Sequence, residues 1–91
     1  MHRLVTIDLS AADIQEFEAY EATVLPLLAK YGARLEMRLR SVDGLSETHV
    51  LFFPDMQAFE NFREDPIRVA AQPSWKACGA KSVTFEVERL G

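Results

Sequence analysis

The stretch LPLLAKYGARLEMRLR, Leu25 to Arg40, contains the change of period that decides the fold. Upstream of Gly32, the apolar positions Val24, Leu25 and Leu28 continue a face begun by Ile14 and Phe17, which is the recurrence of an amphipathic helix. Gly32 can take the left-handed conformation that closes a helix, and Lys30 places a cation in the last turn, where the helix dipole favours it. Downstream the period becomes two. Leu35, Met37 and Leu39 point one way, and Arg34, Glu36, Arg38 and Arg40 point the other. The pattern predicts a strand whose apolar triplet covers the helix. Its four charged side chains then line the opposite face of the sheet, a face left wet or covered by a second subunit.

Outward from this stretch, Arg3 to Leu9 alternates as a first strand, with Arg3, Val5, Ile7 and Leu9 on one side. Ser10 followed by Asp13 resembles a capping box and predicts a helix from near Ala11 to Tyr31, bent at Pro26, whose ring cannot donate to the carbonyl of Ala22. The second strand, Arg34 to Val42, turns at Asp43-Gly44 into a third, Thr48 to Phe53, as a hairpin. Asp55 caps a second helix carrying Met56, Phe59 and Phe62. Asp65-Pro66 is a fresh cap and first helical position, so that Ile67 to Gln72 makes a separate turn or two, broken at Pro73. Lys81 to Arg89 is the last strand. Strand, helix, strand, strand, helix, strand is the split βαβ arrangement: an α+β, ferredoxin-like domain over 1–91 with an antiparallel four-stranded sheet in the order 4-1-3-2 and helices on one face.

A 91-residue chain buries only about 60 to 65% of the surface its unfolded form exposes, so oligomerisation would help it. Ten basic against fourteen acidic residues argue against a nucleic-acid partner. The lone Cys78 excludes an internal disulfide and a cysteine metal cluster. No apolar run approaches 18 residues and MHRLVTID opens as a strand, which together predict a cytoplasmic protein with no membrane partner.

With the opening strand, VLPLLAKYGARLEMR, the hairpin and VLFFPDMQAFENFREDP in place, the chain resembles the dimeric alpha-beta barrel proteins over nearly its whole length, and within them the small bacterial domain of unknown function 1330. Phe62 and Arg63 stand where a Tyr is frequent in that group, and Ala33 where a second glycine is. The resemblance implies a homodimer whose two sheets form one barrel, with no activity assigned to the nearest group. More distant members are cofactor-free monooxygenases of quinol or polyketide substrates, isomerases, or haem-binding enzymes.

Among candidate residues, the charged face leads. Arg34, Glu36, Arg38 and Arg40 have acidic counterparts in Asp8, Glu86 and Glu88, which would meet as ion pairs across a dimer interface (Arg34, Arg40 and Glu88 above all) or line a polar cavity. Such a cavity, with Arg38, Glu86, Asp8 and Trp75 as ligand-binding candidates, suits a small aromatic or carboxylate ligand. His49 is the only internal histidine and the most economical proton carrier, so Arg38 holding an anion and His49 moving a proton form the catalytic candidate pair. A partly exposed structural histidine is the competing reading. Trp75 in PSWKACG is a lid over the core, an interface anchor or a stacking partner for a ligand. Cys78 has no paired base and reads as an inert thiol. No metal-ligand spacing, glycine-rich phosphate loop or nucleophile elbow is present, and no cofactor is implied. Two classes stay open: a non-catalytic dimeric binding module, and a cofactor-free monooxygenase or isomerase acting on a small aromatic or polyketide-like substrate.

Overall fold

Residues 1–91 are described by a computed structural model. Strands β1 (His2–Asp8), β2 (Arg34–Arg40), β3 (Ser46–Phe52) and β4 (Lys81–Val87) form one antiparallel sheet in the order β2-β3-β1-β4. Helices α1 (Ile14–Val24), α2 (Met56–Arg63) and α3 (Pro66–Cys78) and a 3-10 segment (Leu25–Tyr31) cover one face of it. The result is a slab of 34 × 33 × 17 Å, the thickness of one helix layer on one sheet. This is the ferredoxin-like α+β topology predicted from the strand order. No helix is long and apolar enough to cross a membrane.

Local chemistry accounts for the element ends, and in places corrects the sequence reading. Helix α1 starts three residues later than predicted, because Asp13 rather than Ser10 caps it, accepting from the backbone N–H of Glu16 at 3.1 Å. At Pro26 the chain tightens into the 3-10 segment, which ends at Gly32 with φ 68°. Asp55 caps α2 through the N–H of Ala58, as predicted. Helix α3 does not stop at Gln72: it runs unbroken through Pro73 to Cys78. The carbonyl that Pro73 leaves without a donor belongs to Val69, which is half exposed and can be met by water, so the break is not forced. Trp75 therefore sits on a helix and not in a loop.

The larger correction concerns which side chains share a face. Leu35 pairs with Leu51 but Met37 pairs with Val50, so Glu36 is the extra residue of a β-bulge. A bulge reverses parity for everything after it. Arg34 and Glu36 lie on the outer face as predicted, Arg34 against the Phe52 ring and Glu36 bonded to His2. Beyond the bulge, Arg38 and Arg40 turn toward the helices, while Met37 and Leu39 turn outward and stand 52% and 55% exposed. Strand β4 is likewise opposite to expectation: Phe85 lies across from Leu4 and faces outward with Val83, and Glu86 lies across from Arg3 on the helix side. Apart from His2, Arg34 and Glu36 at one end, the outer face is consequently largely apolar, with Leu4, Met37, Leu39, Val50, Val83 and Phe85 on it, while Arg38, Arg40 and Glu86 lie on the other side.

Candidate functional site

Strand β3 builds the site. Glu47, His49 and Leu51 alternate onto its helix side, and all three are buried, Glu47 and His49 to 2% exposure. A buried carboxylate must be paired to stay charged. Arg38 and Arg40, which lie directly opposite His49 and Glu47 on β2, supply the pairing. Arg38 Nε donates to Glu47 Oε2 at 3.0 Å, and Arg40 Nε and Nη2 donate to Oε1 at 2.9 and 2.7 Å. Glu18 of α1 closes the cluster from above, accepting from Arg38 Nη2 at 3.1 Å and from Arg40 Nη2. His49 joins at Nε2, 2.6 Å from Glu47 Oε2. Burial pushes the Glu47 carboxyl upward, but the hydrogen bonds from His49, Arg38 and Arg40 outweigh it and hold the group below the usual range.

Beside this cluster lies a cavity of about 230 Å³ between the sheet and helices α1 and α3. Its polar wall consists of His49, Glu21, Tyr20, Arg68, Gln72 and Ser82, and its apolar wall includes Trp75, Leu51 and Phe62. Trp75 packs 5.1 Å from Tyr20 and 6.3 Å from Phe17, ring centre to ring centre, which fixes its indole as a wall of the cavity. Glu21 is 6% exposed and makes no ion pair of its own. Burial raises its carboxyl to about 7, a rise that Arg38 opposes and that Glu47 and Glu18 reinforce. Arg68 donates from Nη1 to the carbonyl of Arg63 at 3.1 Å, yet its Nε is buried with no hydrogen-bond partner. The arrangement thus offers one unused cationic donor, one carboxyl poised near neutrality, and a histidine held from behind by a carboxylate.

The structure separates the residues singled out in the sequence. His49 and Trp75 line the cavity. Arg38 is next to His49, but its guanidinium is occupied by Glu47 and Glu18, and it is not part of the cavity wall. Glu86 cannot join Arg38, because β4 and β2 are opposite edges of the sheet. Asp8 accepts from the N–H of Ser10 at the end of β1 and also stands outside the wall. Arg40 belongs to the Glu47 cluster, whereas Arg34 remains on the outer face and Glu88 lies exposed just past β4. Asp65, explained in the sequence as a cap, also binds Lys30 Nζ at 2.7 Å and Tyr31 Oη at 2.5 Å, tying the 3-10 segment to α3. No group of three or more histidine, cysteine or acidic side chains is placed to hold a metal ion.

Glu18, Glu21, Glu47, Arg68 and Gln72 were not singled out in the sequence. Two carried a signal. Glu21 falls four residues after Phe17 and three before Val24, on the buried stripe of α1, and Glu47 shares its parity with His49 and Leu51.

No protein-family model matches the sequence, and no curated protein sequence matches it. Solved structures do match the fold. SnoaB, a cofactor-independent oxygenase from Streptomyces nogalater, superposes with a TM-score of 0.73 at 18% identity over 97% of this chain and 92% of that one. The chain has the fold of the dimeric alpha-beta barrel proteins. A dimeric ferredoxin-like protein of unknown function from a Jannaschia species matches this fold with a TM-score of 0.67 at 14% identity, over 96% of this chain and all of that one (100%). A Nitrosomonas europaea protein provisionally described as an antibiotic biosynthesis monooxygenase follows at 0.64 and 10% identity, over 96% and 98% of the two chains. Likeness at these identities carries the fold of the chain and not the chemistry.

Proposed function

We propose that the protein is a cytoplasmic homodimer whose cavity takes a small one- or two-ring phenol or aromatic carboxylate, and that it oxygenates such a phenol without a cofactor. The observation that carries the reading is the Glu21 carboxyl, raised to about 7 by burial in the same small cavity as His49 and the unpartnered Nε of Arg68. A group with that pKa gives and takes protons at neutral pH more effectively than an ordinary carboxylate. About 230 Å³ is smaller than the ~300–1,000 Å³ of sites for drug-sized ligands, which favours a compact substrate.

In this reading Arg68 receives the ligand oxygen, and Trp75, Phe62 and Leu51 hold the ring. His49 takes the phenolic proton, leaving an electron-rich phenolate whose charge Arg68 offsets. Dioxygen then adds at the carbon para to the hydroxyl, and Glu21 protonates the peroxide; the Glu21 carboxylate takes back the hydrogen of that carbon as the O–O bond breaks, and the departing oxygen leaves as water with the proton held by His49. For 1-naphthol the balance is C10H8O + O2 → C10H6O2 + H2O, with no external reductant. The description of SnoaB as a cofactor-independent oxygenase agrees with this chemistry, as a property of that protein. Arg38, the sequence candidate for holding an anion, is replaced in the role by Arg68. The finer placement beside the domain of unknown function 1330 rests on the sequence resemblance alone.

The homodimer rests on the outer face. Met37, Leu39, Val83 and Phe85 are each 46 to 62% exposed on one flat sheet surface, and a second copy of the same surface would remove them from water at roughly 25 cal/mol per Å² of apolar area. Apolar contact thus takes the place of the predicted ion pairs.

The test is an oxygen electrode with 1-naphthol in air-saturated buffer. The expected result is one O2 consumed per 1,4-naphthoquinone formed, with loss of turnover in His49→Ala and Glu21→Ala. Oxygen uptake no faster than without protein refutes the oxygenase, and saturable binding without uptake identifies a binding module instead.

A further inference from the structure

We infer that Glu47 is the positioning residue of the site: its buried carboxylate holds His49 as the Nε2–H tautomer, so that Nδ1 is the ring nitrogen left to accept a proton from a ligand in the cavity. The inference deepens the proton-transfer reading of this cavity and rests on it for its catalytic part.

Strand pairing sets the geometry. Glu47 and His49 are two residues apart on β3 and share a face, with Ile7 and Val5 beside them on β1 and Arg40 and Arg38 beside them on β2. His49 makes one hydrogen bond, the 2.6 Å contact between Nε2 and Glu47 Oε2. An ionised carboxylate only accepts hydrogen bonds, so the proton on that contact belongs to Nε2. Two guanidiniums on Glu47, at 2.7 to 3.0 Å through Arg38 Nε and Arg40 Nε and Nη2, keep the carboxylate ionised although it is 2% exposed. A second acid, Glu18, balances the second guanidinium. Of the other charged groups on the covering helices, Glu21 of α1 and Arg68 of α3 line the cavity, whereas Glu16, Glu60, Arg63 and Lys76 stand outside its wall. A lone buried histidine would be free to take either tautomer. Here one is selected by a group built into the same strand.

The consequence is a directed proton path. The O–H bond of a phenol breaks as an N–H bond forms at Nδ1, and the imidazolium so produced is paired through Nε2–H with the Glu47 carboxylate, which does not itself take the proton. A carboxylate serving only to anchor Arg38 and Arg40 would leave the ring tautomer undetermined.

Two-bond 15N–1H correlation of the histidine rings decides between them, since the chain holds only His2 and His49. For the full-length protein at pH 8 the expected pattern is a protonated Nε2 and an unprotonated Nδ1 for His49. An Nδ1–H pattern, or a mixture of tautomers, overturns the inference without any variant having to fold. In Glu47→Gln the side-chain amide can donate to Nε2, so the tautomer shifts toward Nδ1–H. Turnover of 1-naphthol then falls at least about a hundredfold in kcat with KM changed less than about threefold, and Glu47→Asp recovers part of it. An unchanged kcat in a Glu47→Gln protein with the shifted tautomer refutes the catalytic part. If 1-naphthol is neither bound nor oxidised while wild-type His49 is Nε2–H, the substrate reading fails and the positioning of His49 by Glu47 stands.

Discussion

Replacing Glu21 by Gln should stabilise the protein, and should do so only when the solution is alkaline enough for the natural residue to ionise. Glutamine has the shape and hydrogen-bonding character of the protonated acid, so it keeps the packing and removes the titration. The carboxyl moves from 4.5 when unfolded to about 7 when buried. Below pH 4.5 both states carry the proton and Glu21 costs nothing; between pH 4.5 and 7 the unfolded chain ionises while the folded one does not, and stability falls; above 7 the loss is complete. At 1.36 kcal/mol per pH unit the full loss is about 3 kcal/mol. Urea unfolding of both proteins at pH 4.5, 6 and 8 measures it, because the other carboxylates titrate alike in the two and cancel in the difference. The gain from Glu21→Gln should rise from near zero at pH 4.5 to about 3 kcal/mol at pH 8. A difference independent of pH would refute the raised carboxyl, and with it the proton chemistry assigned to the cavity.

Other outcomes follow from the same geometry. Gly79 closes α3 at φ 84° with the carbonyl oxygen of Ala11 2.6 Å from where a Cβ would stand, so Gly79→Ala should cost more than about 1 kcal/mol in urea unfolding. Lys30 and Tyr31 hold the Asp65 carboxyl well below the usual carboxylate range, giving stability that is present above its unfolded value of 3.8 and lost as pH falls through the lower folded one. Asp65→Asn should therefore lower Tm at pH 7, with the gap to wild type narrowing in acid. On the outer face, Phe85→Lys should shift sedimentation equilibrium from a dimer toward the 10.3 kDa monomer, while wild type stays dimeric in about 0.5 M salt because the contact is apolar.

Periodicity and turn chemistry made the topology legible. Asp43-Gly44 fixes the hairpin, and Asp55 and Asp65-Pro66 mark two helix starts where the structure has them. The faces were harder. Alternation tells which side chains lie together, not which side meets the helices, and on β4 both faces lacked a decisive marker: Val83 and Phe85 are apolar yet point away from the core. On β2 the single bulge at Glu36 carries Arg38 and Arg40 from one side of the sheet to the other, and no residue in LEMRLR announces it. The site inherited that error. With the arginines placed outside, Glu47 had no partner in view, so His49 was the only cavity group within reach of sequence reasoning besides Trp75. Arg68 was hidden for a different reason, since α3 was expected to end before it could present both Arg68 and Trp75 to one cavity.

Trp75 is the only tryptophan in the chain, which makes its fluorescence a reporter of this one cavity. Titration of the wild-type protein with 1-hydroxy-2-naphthoate, which carries both a phenol and a carboxylate for Arg68 to receive, should give saturable quenching. The apparent Kd should rise at least about tenfold in Arg68→Met, the loss expected when a charged hydrogen bond of about 1.5 kcal/mol or more is removed. Absence of saturable quenching in the wild type, or an equal Kd in Arg68→Met, would contradict the assignment of this cavity as the binding site.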